Sequence, residues 1–180
     1  PVLSRGLGDV YKRQGETSDI DLEDLVQRGE MVVSVTNSGY IKRVPLEMYR
    51  AQRRGGKGRS GMKTNAEDFV TQVFTAGTHD NMLFFSSGGI AYKLKTCKIP
   101  ESSPTDKGKA IVNLLNLKND ESLSSILVLP ENNLEGEKYL VFATADGSIR
   151  KNNLEDFKKI QANGKIAMKL NAKNYIIGVK

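Results

Sequence analysis

Residues 31–49 read MVVSVTNSGYIKRVPLEMY. A valine-rich run over 31–36 meets Asn37-Ser38-Gly39, and a second apolar run over 40–44 stops at Pro45. Side chains branched at Cβ suit a pleated, half-buried surface. A small polar turn ending in glycine supplies the positive φ that a tight connection needs. The stretch therefore predicts a β-hairpin. It recurs as NMLFFSSGGIAYKLKTCKIP over 81–100 and as KYLVFATADGSIRKNNLEDF over 138–157. The aligned glycines are Gly39, Gly89 and Gly147, separated by 50 and 58 residues.

Outward from the hairpins, β-branched and aromatic runs predict strands over 69–76, 111–115, 125–129, 165–170 and 175–179. Each hairpin is followed by a loop and a second strand pair, starting near Gly61-Met62, Gly108-Lys109 and Gly164-Lys165. Only residues 21–27, DLEDLVQ, suggest a short helix, with acids in the first turn where the helix dipole favours them. The reading is all-β. A period near 50 with four strands per unit is the pattern of propeller-like blades, which bury their faces against one another. The plain alternative is one sandwich with accidental self-similarity. The predicted blades cover approximately 30–78, 79–130 and 137–180. About three blades cannot close a ring, so the expectation is an open arc or part of a larger disc. Residues 1–14, PVLSRGLGDVYKRQ, show no period and are expected to be a non-native leader or disordered, making few contacts; the folded part spans 15–180.

The composition excludes several classes. Hydrophobic residues make up 38% of the 180, enough for a packed core and too many for a wholly disordered chain. No apolar run approaches the ~18 residues of a membrane span, and none resembles a signal peptide. One cysteine, Cys97, allows no internal disulfide, which fits a reducing compartment. With one histidine, His79, it leaves a tetrahedral zinc site without ligands. The net charge of +6 is unevenly placed: residues 40–63 hold eight cations against the single acid Glu47, a local +7. A concentrated positive patch draws polyanions, nucleic acid first among them. A solvated basic loop is the bland alternative.

The densest part, Gln52-Arg53-Arg54-Gly55-Gly56-Lys57-Gly58 with Arg59-Ser60-Gly61, falls in the loop after the first hairpin. Its glycines leave backbone N–H groups open to an anion, and its Arg and Lys side chains suit phosphate oxygens. Such contacts position a duplex without reading its sequence. Gly56, Gly58 and Gly61 also match G-x-G-x-x-G, but a dinucleotide site needs a strand before and a helix after, and neither is predicted. A P-loop fails because Lys57 is followed by Gly58 and position 51 is Ala51. His79 beside Asp80 has no nucleophile or metal partner and reads as a turn residue. Cys97, between Lys95 and Lys98, reads as structural. Asp19, Asp21, Glu23 and Asp24 lack calcium-loop spacing. Tyr40, Tyr49, Tyr92, Tyr139 and Tyr175 fall at strand or blade ends and read as core or edge residues. No catalytic and no metal-binding residue is predicted.

The heptad QRRGGKG at 52–58, set behind a blade hairpin, resembles the box motif of the C-terminal DNA-wrapping domain of the bacterial DNA gyrase A subunit. Gyrase is a type II topoisomerase. The resemblance covers 20–180 and includes PLEMYRAQRRGGKGRSG, THDNMLFFSSGGIAYKLK, KGKAIVNLL and GKIAMKL. It implies about three blades of a six-bladed β-pinwheel whose basic rim wraps duplex DNA in support of ATP-dependent negative supercoiling. It implies a bacterial cytoplasmic, nucleoid-associated setting, no membrane, and partnership with the gyrase B subunit plus a second A subunit in an A2B2 holoenzyme. The catalytic tyrosine and the ATP and Mg sites of the family lie outside this segment, so no cofactor is expected within it.

The position-by-position match carries Gln52, Arg53, Arg54, Gly55, Gly56, Lys57 and Gly58 as DNA contacts, extended by Arg59. Lys42, Arg43, Lys63, Lys93, Lys95, Lys107, Lys109, Arg150, Lys151 and Lys165 are added as rim cations at strand ends and loops. A related reading is the C-terminal domain of the topoisomerase IV A subunit, where the box is degenerate or missing. A propeller that scaffolds proteins is the reading from a different class.

Overall fold

The computed structural model describes residues 25–49, 68–117, 121–131 and 138–180. The leader 1–14, most of the predicted helix, and Gly61-Met62 lie outside the described residues. At the end of that predicted helix, Leu25 and Val26 form a turn and a bend, and no helical turn follows. The strands are β1 (Glu30–Thr36), β2 (Tyr40–Pro45), β3 (Val70–Gly77), β4 (Asn81–Ser86), β5 (Ile90–Lys95), β6 (Lys109–Ala110), β7 (Leu123–Leu129), β8 (Tyr139–Thr144), β9 (Ile149–Asn153), β10 (Lys165–Ile166) and β11 (Ile176–Val179). They form three sheets, in the orders β3-β1-β2-β6, β10-β5-β4-β7 and β11-β8-β9. All the ladder pairings are antiparallel.

The three repeats are built alike. Hairpins β1–β2, β4–β5 and β8–β9 each end in a one-turn 3-10 segment, Leu46–Met48, Thr96–Lys98 and Leu154–Phe157. A connector then leads to an outer strand that returns along the hairpin's first strand. That return is pinned at the hairpin turn the same way each time: Asn37 N–H donates to Phe69 O, Ser87 to Ser122 and Ala145 to Tyr175, at 2.9, 2.7 and 3.0 Å.

Residues after Gly108 and Gly164 depart from the sequence reading, because they do not open a strand pair within their own repeat. They form two-residue strands that join the hairpin of the repeat before their own: β6 pairs with β2, and β10 with β5. Successive sheets are thus stitched by exchanged edge strands, and each covers an edge that would otherwise be open to other chains. The predicted strand 111–115 is a 3-10 turn, Ile111–Asn113, with Leu114 and Leu115 N–H both donating to Ile111 O. Ile111, Leu114 and Leu115 have the i, i+3, i+4 spacing of a helical turn; Ile111 and Leu115 are buried while Val112 is exposed. The strand predicted over 165–170 stops at Ile166, because Ala167 and Met168 both turn to donate to Gly89 O.

The core lies between sheets. One cluster joins the first and second sheets through Val33, Val35, Ile41, Met82, Phe84 and Tyr92. The other joins the second and third through Leu83, Phe85, Leu140, Phe142, Leu154 and Phe157. Side chains alternate across a strand, so Met82 and Phe84 face one neighbour while Leu83 and Phe85 face the other. This explains the unbroken apolar run of β4: a sheet covered on both faces needs no polar alternation. In β8 the alternation is clean, with Leu140 and Phe142 buried and Tyr139 and Val141 exposed.

Gly89 shows why glycine closes the turn. Its φ is +87°, and a Cβ there would run into the carbonyl oxygen of Met168. The site needs both a left-handed backbone and an absent side chain.

Candidate nucleic-acid interface

Gln52, Arg53, Arg54, Gly55, Gly56, Lys57, Gly58, Arg59 and Lys63 lie outside the described residues. The two ends of the connector that carries them are described. At one end, Tyr49 N–H closes the 3-10 turn on Leu46 O at 2.9 Å. At the other, Asp68 is buried beside the hairpin turn and accepts from Ser38 N–H at 3.0 Å. Burial pushes the Asp68 carboxyl up, but the Ser38 N–H, the Thr36 and Ser38 hydroxyls and the charge of Lys107 outweigh it and hold the group below its usual range. Tyr49 and Asp68 sit at opposite ends of the first hairpin, since β2 ends opposite Met31 and β3 starts opposite Thr36. The equivalent connectors of the other repeats, 99–122 and 158–175, carry the exchanged strands and thus lie at the sheet junctions.

The remaining predicted contacts divide. Lys42 is fully buried, and its ammonium donates to the carbonyls of Ser103, Pro104 and Asp106 at 3.2, 2.5 and 2.8 Å. An ammonium has three N–H donors, and three protein carbonyls take them. Burial lowers the Lys42 pKa, with the Asp106 carboxylate opposing. Arg43 is also enclosed, its side chain 11% exposed. Its Nε donates to Ile99 O at 2.6 Å and its Nη1 pairs with Glu101 at 3.0 Å. Neither is presented to a duplex, which corrects the expectation for both. The sequence signal was ambiguous, because a basic residue inside a strand, as both are in β2, can hold a neighbour's carbonyls as readily as face solvent.

Lys93 is half-buried and donates to Lys158 O at 2.6 Å; Lys95, also half-buried, ends β5 opposite Asn81. Arg150 and Lys151 are exposed. Arg150 Nε donates to Asn152 Oδ1 at 2.8 Å, and the Lys151 ammonium lies 3.7 Å over the Tyr139 ring. Arg150 pairs with Phe142 and Lys151 with Val141, so the two cations leave opposite faces of the third sheet.

The sequence reading names Arg150, Lys151 and Lys165 but misses the basic excess of the whole third repeat. Residues 138–180 hold nine Lys or Arg against three acids. Lys159, Lys165, Lys169 and Lys173 are exposed there with Arg150 and Lys151. Counting charge repeat by repeat, and not only around the glycine-rich heptad, would have found it. Lys107 and Lys109 lie on the second connector; Lys109 is exposed and Lys107 sits 3.7 Å over the Tyr40 ring. Among the described residues no group of His, Cys, Asp or Glu could hold a metal, and no helix is long and apolar enough to cross a membrane.

Stacked antiparallel sheets that exchange edge strands, with cations exposed on their connectors, define a propeller-type repeat protein. The family described as DNA gyrase C-terminal domain, beta-propeller, matches residues 30–76, 80–130 and 138–180, one segment per repeat. Curated relatives include the DNA gyrase A subunit of Rickettsia bellii, 56% identical over 163 residues, and that of Staphylococcus epidermidis, 42% identical over 167. These matches cover 90% and 92% of this chain but 18% of each relative, so the chain spans about a fifth of their length. Among solved structures, a DNA gyrase A C-terminal domain matches at TM-score 0.61 and 30% identity, over 83% of this chain and 47% of that one. The C-terminal domain of a DNA topoisomerase IV matches at TM-score 0.72 over 86% of this chain and 46% of that one; at 22% identity it speaks for the fold alone. The chain belongs to the DNA gyrase C-terminal domain family.

Proposed function

We propose that this chain binds duplex DNA through its phosphates and bends it along the arc of stacked sheets, as the wrapping segment of a DNA gyrase A subunit. The observation that carries the reading is the complete heptad Gln52–Gly58 in a chain 56% identical to a gyrase A subunit over its matched length. Bending a 20–30 bp site by 40–90° costs about 1–6 kcal/mol, and a line of cations along a curved rim offsets that cost. The exposed cations of the third repeat extend the line beyond the heptad. In this reading the segment serves ATP-dependent negative supercoiling in a bacterial cytoplasm. Its partners there, the B subunit plus a second A subunit, supply the ATPase and strand-cleavage chemistry.

The test is duplex affinity across a salt series, with Arg53, Arg54 and Lys57 changed to alanine in one variant. Each lost phosphate contact flattens the slope of log K against log salt by about 0.9. The expected result is weaker binding and a slope shallower by about 2.7 for three contacts. Equal slopes and equal affinities for the two proteins would overturn the reading.

A further inference from the structure

Aligned on the turn glycines, Arg43, Lys93 and Lys151 occupy one position of the repeat. Arg43 pairs across its hairpin with Val33, Lys93 with Leu83 and Lys151 with Val141. The first two do the same thing. Arg43 donates to the carbonyl of Ile99, which follows the 3-10 turn of the next repeat. Lys93 donates to the carbonyl of Lys158, which follows the 3-10 turn of the repeat after that. Each cation thus reaches across a sheet junction to the carbonyl that directly follows its neighbour's 3-10 turn, ten residues past the turn glycine at the first junction and eleven at the second.

At the first junction the grip is doubled. Arg43 N–H donates to Pro100 O, and Ser102 N–H donates back to Arg43 O, at 3.1 and 3.0 Å. Lys42, whose side chain leaves the other face of the strand, holds the carbonyls of Ser103, Pro104 and Asp106. The second connector is therefore held from both faces as it rounds the edge of β2, before β6 pairs there. The exposed Lys109 rides on this connector, a few residues beyond the grip.

We propose that Arg43 and Lys93, with Lys42 beside the first, are inter-repeat clasps: positioning residues that fix the angle between successive sheets and so the curve of the DNA-bearing rim. This rests on the DNA-wrapping reading above. It gives these cations a role opposite to that of the heptad, because they set the path of the duplex without touching it. A single lysine donor suffices at the second junction, so Arg43→Lys should keep the clasp and Arg43→Gln should lose it.

The experiment compares the unaltered chain with Arg43→Gln, Arg43→Lys and Lys93→Met. It reads the salt slope of duplex binding and the linking-number change left in relaxed, religated DNA circles per bound protein at saturation. Arg43→Gln and Lys93→Met are expected to keep the salt slope while at least halving the linking-number change, and Arg43→Lys to retain both. A slope shallower by about 0.9, the mark of a lost phosphate contact, would overturn the proposal. So would an unchanged linking number in both losing variants.

Amide exchange is measured on the same proteins. Faster exchange confined to 99–110 in Arg43→Gln supports the clasp, and uniform protection there sinks it. If the unaltered chain binds no duplex, the wrapping reading fails by itself, and the exchange data still judge the clasp. If Arg43→Gln does not fold, Lys93→Met and Arg43→Lys carry the same comparisons.

Discussion

The rings of Phe85 and Phe142 meet edge to face, centroids 5.4 Å apart, one from the second sheet and one from the third. Phe157 completes the contact at 6.0 Å from each. All three are buried, so this triad is the centre of the junction between the two sheets. Phe85→Ala is expected to cost about 3–5 kcal/mol, the usual range for emptying a buried aromatic site. Denaturant unfolding of the variant measures it, and a loss under about 1 kcal/mol would show that the triad does not hold the junction.

The turn glycines differ in what surrounds them. Gly39, Gly89 and Gly147 all have positive φ, but a Cβ at Gly39 or Gly147 meets open space, whereas one at Gly89 meets Met168 O. Alanine at Gly39 or Gly147 should cost about 1–2 kcal/mol, the left-handed penalty alone. Gly89→Ala should cost more than either, since the close approach of β10's exit adds to it. Melting curves of the three variants rank them, and equal shifts would argue against the contact.

Part of the acid sensitivity should lie at the third hairpin turn. The Thr144 hydroxyl and Ser148 N–H donate to the Asp146 carboxylate at 2.6 and 3.0 Å, and these bonds, the Thr144 one foremost, lower its pKa from 3.8 to about 2. A folded-state pKa below the unfolded one means stability that is present above about pH 4 and lost as pH falls towards 2. Asp146→Ala should lie below the unaltered chain in denaturant midpoint at pH 6, with the gap closing between pH 4 and 2. A gap that stays constant with pH would mean the ionised carboxylate contributes nothing.

Cations of the third repeat should behave unlike the clasps. Arg150 and Lys151 are exposed and leave opposite faces of their strand. If the rim runs past the strand edge, Arg150→Gln and Lys151→Gln each flatten the salt slope by about 0.9. If DNA lies against one face, only one of them does. No change in either would remove β9 from the interface.

The strands of the hairpins were legible because their signals are local. Valine-rich runs, a polar turn and a glycine at the point of positive φ need no partner to be recognised. Misreadings arose where a partner decides. Ile111, Leu114 and Leu115 look like part of a strand when only their apolar character is weighed. They fold as a 3-10 turn because a neighbouring sheet accepts them on one side. Gly108 and Gly164 mark strand starts correctly, yet nothing near them says that the strand belongs to the previous repeat's hairpin.

By itself, the sequence determined the all-β repeat, its three hairpins and the basic heptad that places the chain in its family. Each of these is carried by residues adjacent along the chain, through backbone preference and charge. The tertiary structure decided which cations can face solvent. Lys42 and Arg43 read as part of the basic patch until the next repeat's connector passes over them and occupies their donors. Neither the burial nor the carbonyls that stabilise it are encoded near positions 42 and 43. Both arise from a segment some sixty residues on, brought there by the packing of one sheet against another.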